Sequence, residues 1–132
     1  MRDSAEQRIE RHRQRQFERL VAAALDGLPG EVLAMLDNVD VVVEDWPTES
    51  QLDRDGDSVE TLFGLYEGIP LTERGHGYSM VLPDKITIFR RPLERTFRSR
   101  LELVRQVRIT VVHELGHHLG MDEDRLADLG WA

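Results

Sequence analysis

The most informative segment of the chain is Val111-Val112-His113-Glu114-Leu115-Gly116-His117-His118-Leu119-Gly120-Met121-Asp122-Glu123. Its apolar residues continue a helical spacing that begins further upstream, at Leu101, Val104 and Val107. Ser99 and Glu102 have the spacing of a capping box, which marks the start of a helix. Gly120 suits its end, because glycine adopts positive φ without steric cost. The sequence therefore predicts one long core helix that begins after Ser99 and ends at Gly120.

The spacing of two histidines in this helix indicates a metal site. Residues four apart lie one above the other on the same helix face, so His113 and His117 can bind one ion. Glu114 lies about 100° further around the helix, where it can stay off the metal and still reach a metal-bound water. Zinc lowers the pKa of such a water to about 7, and Glu114 would accept its proton and pass it to the leaving group. The chain has no cysteine, so its ligands must be imidazole and carboxylate, which suits zinc.

Residues 113–123 resemble the extended zincin motif, His-Glu-x-x-His-x-x-Gly-x-x-ligand. They look most like a family of small bacterial zincin-like metallopeptidases in which the last ligand is Asp or Glu. The resemblance implies that His113, His117 and Glu123 bind zinc and that Glu114 is the general base. Asp124 stays open as an alternative to Glu123, because acidic residues are also favoured at the start of a short helix without any metal.

The resemblance implies zinc-dependent hydrolysis of peptide bonds in a peptide or protein substrate. In zincins an extended substrate pairs with an edge strand above the active-site helix, which we expect here at Thr61 to Leu71. Two other functions stay open. A metal-dependent ribonuclease can have a similar histidine spacing, although those enzymes lack the glutamate after the first histidine. A non-catalytic binding protein could hold the metal in a closed, structural site.

The rest of the sequence predicts an α+β domain, with helices first, then strands, then the long helix. A capping box at Ser4 and Gln7 opens a first helix over Ala5 to Asp26. The other expected elements are a helix at Glu31 to Leu36, strands at Val39 to Glu44, Thr61 to Leu71 and Ile86 to Phe89, and a last helix at Glu123 to Leu129. The polar stretch Glu49 to Ser58 is expected to be a surface loop. The resemblance makes this fold zincin-like, with N-terminal helices, a small mixed sheet, the active-site helix and a short C-terminal helix. A length of 132 residues fits a single domain over 1–132.

Net charge and hydropathy restrict the kinds of partner that we expect this protein to bind. The net charge of −8 argues against broad attraction to nucleic acid or to anionic membranes. The N-terminal residues are charged and no apolar run is long enough to span a bilayer, so we expect a cytoplasmic protein with no membrane partner. The sequence leaves the oligomeric state open. Tyr78 and His76 are candidates to stabilise an oxyanion beside the metal.

One segment is positively charged, although the chain as a whole is negative. Between positions 90 and 108 the chain carries seven arginines and two glutamates; the arginines are Arg90, Arg91, Arg95, Arg98, Arg100, Arg105 and Arg108. We interpret this segment as a solvated, salt-bridged helix surface. A local site for an anion or a partner is the alternative.

Overall fold

The computed structural model describes residues 4–56, 58–68, 84–120 and 123–128. Helices and strands follow one another as α1 (Ala5–Asp26), α2 (Gly30–Met35), β1 (Val39–Glu44), α3 (Glu49–Asp55), β2 (Gly64–Glu67), β3 (Asp84–Phe89), α4 (Arg90–Thr96), α5 (Arg100–His118) and α6 (Glu123–Asp128). The predicted α+β class with a small mixed sheet is confirmed. None of the helices in these ranges is long and apolar enough to span a membrane.

The three described strands form one sheet in the order β1-β3-β2. β1 runs parallel to β3, with Val41 opposite Ile86, and β2 runs antiparallel to β3, with Tyr66 opposite the same residue. β2 therefore lies at an edge of the described sheet.

The main core lies between this sheet and two helices. α1 and α5 pack against each other, and α5 also contacts β2 and β3. The buried residues of this core are Phe17, Leu20, Val21, Ala24, Leu28, Val32, Ile86, Ile88, Leu93, Val107, Val111, Val112 and Leu115. Side chains alternate along a strand, so Phe89 faces the other side of the sheet, where it joins Leu62, Leu65 and Leu52 of α3. The helix that carries the histidines is thus held between α1 and the sheet.

The prediction of a loop over Glu49 to Ser58 was wrong, because this stretch begins with α3. Thr48 and Gln51 form a capping box: the Thr48 N–H donates to Gln51 Oε1 at 2.8 Å, and the Gln51 N–H donates to Thr48 Oγ1 at 3.2 Å. Gly56 ends the helix at a φ of 78°. The Thr-Glu-Ser-Gln pattern was the available signal, and the lack of apolar periodicity hid it.

The other elements agree with the sequence to different extents. α1 and β1 have the predicted bounds, and α2 begins one residue earlier than expected. The predicted strand from Thr61 to Leu71 is shorter, since only Gly64–Glu67 form β2, and positions 69–71 lie outside the described residues. β3 begins at Asp84 rather than Ile86. α4 was not predicted, although Pro92 in its first turn is compatible with a helix start.

The arginine-rich segment serves the packing of the protein itself at several points. Arg90 is fully buried among three carboxylates. Arg108 Nε donates to the Ala24 carbonyl at 2.8 Å, and Arg95 lies over the ring of Trp46 at 5.1 Å. The predicted salt bridges are confirmed for Arg90 and Arg91, but the prediction of a solvated surface was wrong for Arg90.

Candidate metal and active site

His113 and His117 lie in the last turns of α5, as the spacing predicts. Their ring centroids are 4.3 Å apart and the rings are tilted by 35°. His113 is half-buried and His117 is exposed. The two imidazoles are therefore neighbours on one face of the helix, which is the arrangement that a shared metal ion requires.

The expected third ligand, Glu123, lies beyond the end of α5. It is the first residue of α6 and follows the last residue of α5, His118, by five positions. Leu119 is the C-cap of α5, and Gly120 has a φ of 84°. The Glu123 side chain lies outside the described part of the chain, and Asp124 is exposed. Among the described side chains, no group of three or more His, Cys, Asp or Glu residues is arranged to hold a metal ion.

Glu114 joins the helix to the edge strand. Its Oε1 accepts a hydrogen bond of 2.9 Å from the backbone N–H of Tyr66 in β2, and the side chain is half-buried. The strand can come this close because position 64 is glycine: a β-carbon there would lie 2.5 Å from Thr110 Cγ2 of α5. The carboxylate thus lies where the edge strand and the helix meet.

A cleft of about 410 Å³ runs between residues 61–64 and one face of α5. It is lined by Thr61, Leu62, Phe63, Gly64, Gln106, Ile109, Thr110, His113, Glu114 and His117. The helix positions recur at intervals of three or four, so they form one stripe along α5. Both histidines and the glutamate therefore open into the same cleft, and the segment that leads into the edge strand forms its opposite wall.

Tyr66, His118 and Asp84 form a group of side chains that the sequence did not predict. The Tyr66 ring stacks on the His118 ring, with centroids 3.9 Å apart and an angle of 14°. The Tyr66 hydroxyl donates to Asp84 Oδ2 at 2.7 Å, and His118 Nε2 lies 3.9 Å from the same oxygen. Local periodicity could not reveal this group, because its members come from β2, β3 and α5.

The candidates for oxyanion stabilisation, Tyr78 and His76, lie outside the described residues. Their role stays a prediction from the sequence.

A core helix with paired histidines and a glutamate facing an edge strand is suited to a metal-dependent hydrolase. Residues 36–131 match the family of zincin-like metallopeptidases, and the chain belongs to this family. The family resemblance predicted from residues 113–123 is thus confirmed. Comparison with curated proteins finds no match.

Proposed function

We propose that this protein is a zinc-dependent peptidase that uses His113, His117 and Glu123 as zinc ligands and Glu114 as general base. The observation that carries the proposal is the common cleft, into which both histidines and Glu114 open beside an edge strand. Membership of the zincin-like metallopeptidases supports the same reaction class.

The donor set fits zinc. Two imidazoles and one carboxylate are the protein ligands of one group of catalytic zinc sites, which keep a further position open for water or substrate. Zinc bound there would lower the pKa of a water ligand and polarise the substrate carbonyl. The imidazoles must be neutral to bind a metal, so zinc binding should weaken in acid.

Glu114 has the position that proton transfer needs. Its carboxylate is next in sequence to His113, faces the same cleft and is held at Oε1 by the Tyr66 N–H. We assign to this carboxylate the transfer of a proton from the attacking water to the leaving amine. Such a step contributes about 10²–10⁴-fold to the rate of an enzyme.

The edge strand gives the substrate a binding mode. An extended peptide can add to the free side of a sheet through main-chain hydrogen bonds. β2 lies at such an edge among the described strands and follows directly on the cleft wall. We therefore infer that the substrate is a peptide, or a flexible protein segment, bound in extended form beside Gly64.

Metal analysis of two ligand variants, one control variant and one base variant tests the proposal. In Glu114→Gln, zinc content should equal that of the wild type, while hydrolysis of a mixture of quenched fluorescent peptides should fall about 10²–10⁴-fold. His113→Ala should lose zinc, and so should Glu123→Ala. Asp124→Ala is the matched control for the third ligand and should keep zinc.

Two results would contradict this assignment. Wild-type hydrolysis by Glu114→Gln would exclude Glu114 as the base. Unchanged zinc content in His113→Ala would exclude the metal site itself.

A further inference from the structure

Along β2, the backbone N–H and C=O groups of successive residues point alternately toward β3 and away from it. The Phe89 N–H of β3 donates to the Phe63 carbonyl at 2.9 Å, so position 63 faces β3. Along an antiparallel strand, residues that bond to the partner strand alternate with residues whose N–H and C=O point away from it. Leu65 therefore faces β3 like Phe63, whereas Gly64 and Tyr66 direct their backbone groups to the outer edge. The bond from the Tyr66 N–H to Glu114 agrees with this alternation.

We propose that Tyr66 is a positioning residue for Glu114, an inference that rests on the proposed role of Glu114 as general base. The outward N–H of Tyr66 fixes the carboxylate, and Gly64 directs its N–H and C=O to the same outer edge, where they would bind the substrate backbone. In this arrangement, one outward-facing residue of the edge strand binds the general base and another binds the peptide.

The Tyr66 side chain keeps this amide in place. Its ring stacks on His118 of α5, and its hydroxyl donates to Asp84 at the start of β3. Tyr66 is therefore tied through its side chain to the helix that carries Glu114 and to the neighbouring strand. Small displacements of a catalytic group are costly, because the reaction requires the reacting atoms in a narrow range of geometry. Anchoring the ring restricts the movement of the N–H relative to the carboxylate.

Amide hydrogen exchange measured by NMR tests the contact without reference to activity. In Glu114→Ala, the Tyr66 amide should exchange about tenfold faster than in the wild type, since a hydrogen bond to a charged group is lost. The Leu65 amide, which faces β3, is the internal control and should change less than about twofold, as expected for an amide whose bond is kept. Glu114→Gln should retain the protection of Tyr66, because the amide oxygen of glutamine can still accept.

The result that would overturn the proposal is a Tyr66 amide whose exchange is the same in Glu114→Ala and in the wild type. Failure of the proposed function looks different, since it appears as retained hydrolysis in Glu114→Gln. Amide exchange should therefore be measured for Glu114→Ala and Glu114→Gln in both zinc-loaded and metal-free protein. The contact is then tested separately from hydrolysis.

Kinetics separate positioning from a general loss of structure. With quenched fluorescent peptides as the probe, Tyr66→Ala should lower kcat about tenfold and change KM by less than about twofold, because base alignment is lost while Gly64 still binds the peptide. Tyr66→Phe keeps the stacked ring and should recover most of kcat. Leu65→Val is the control in the same strand: it should lower the melting temperature and leave kcat unchanged. Equal losses of kcat in Leu65→Val and Tyr66→Ala would show that only strand stability matters and would overturn the proposal.

Discussion

At Gly64 the edge strand packs tightly against the histidine-bearing helix. A β-carbon there would lie 2.5 Å from Thr110 Cγ2 and 3.1 Å from the Thr87 carbonyl oxygen. The contact with Thr110 Cγ2 would force this buried side chain to move, and the contact with the Thr87 carbonyl oxygen would require a small shift of the sheet backbone. The close packing therefore favours glycine at this position, which lets β2 lie near the helix that carries Glu114.

We expect Gly64→Ala to push β2 away from α5 and to destabilise the protein by about 1–3 kcal/mol, the usual cost of an overpacked position. The same shift should weaken the Tyr66–Glu114 bond and lower kcat. Urea unfolding and peptide hydrolysis measure the two effects. Gly30→Ala is the control, because no atom lies within 4 Å of the added carbon there.

Combining Gly64→Ala with Thr110→Ser removes the closest contact and should restore part of the lost stability. Gly64→Ala with wild-type stability would show that the strand does not need this close approach.

Some residues of the candidate site could be predicted from the sequence, and others could not. His113, Glu114 and His117 follow from spacing within one helix, since helical periodicity is local. Tyr66 does not, because its partners Asp84 and Glu114 are 18 and 48 positions away in sequence. No spacing rule connects a strand amide to a helix carboxylate. That contact is created only when β2 packs on α5.

At the scale of elements, Arg90 connects α1, α4 and the segment after β1. It lies fully buried at the start of α4 and donates to Asp45 at 2.9 Å, to Glu94 at 3.0 Å and to Glu10 of α1. Burial by itself would lower the pKa of Arg90, but its hydrogen bonds with Asp45 and Glu10 prevail and raise the pKa above its usual range. The guanidinium thus stays charged in the interior and fixes the first half of α1 against the rest of the domain.

This connection should make stability depend on pH through Glu10. The hydrogen bond from Arg90 lowers the pKa of Glu10 in the folded state below its ordinary value of 4.5. A lowered folded-state pKa stabilises the protein above the unfolded pKa, and this stabilisation is lost as the pH falls through the folded pKa. At neutral pH, Glu10→Gln should therefore melt a few degrees below the wild type, and the difference should shrink to zero in acid.

Melting curves between neutral pH and acid check this expectation. Glu18→Gln is the control, because it removes an exposed carboxylate from the same helix without affecting the Arg90 contacts. A difference between Glu10→Gln and the wild type that stays constant down to acid pH would contradict the linkage.

The elements themselves were predictable where local signals were strong. α1 has its predicted bounds because a capping box at Ser4 coincides with helical apolar spacing. α3 also has a capping box, but it has little apolar periodicity, so it was not predicted from the sequence. The burial of Arg90 could not be predicted, since arginine is among the residues least often buried and its three partners come from separate segments.

At the scale of the whole molecule, the family match begins after α1. It covers residues 36–131, whereas α1 ends at Asp26. However, α1 contributes four residues to the main core, namely Phe17, Leu20, Val21 and Ala24. These residues pack on the side of α5 that faces away from the cleft. If residues 1–132 form a single domain, as predicted, the fold should require α1.

We expect a fragment of residues 36–132 to lack a cooperative unfolding transition. Burial of Phe17, Leu20 and Val21 contributes about 1.5–3 kcal/mol per side chain, which together is a large part of the total stability of about 5–15 kcal/mol that a domain has. The fragment lacks both α1 and α2, so Val107 and Val111 would face water and α5 would lose its support behind the histidines. Circular dichroism and tryptophan fluorescence should give one coincident melting transition for the full chain and none for the fragment. Adding a peptide of residues 4–28 should restore part of the transition. A fragment that melts cooperatively at the temperature of the full chain would instead show that the family region folds alone and that α1 is an accessory helix.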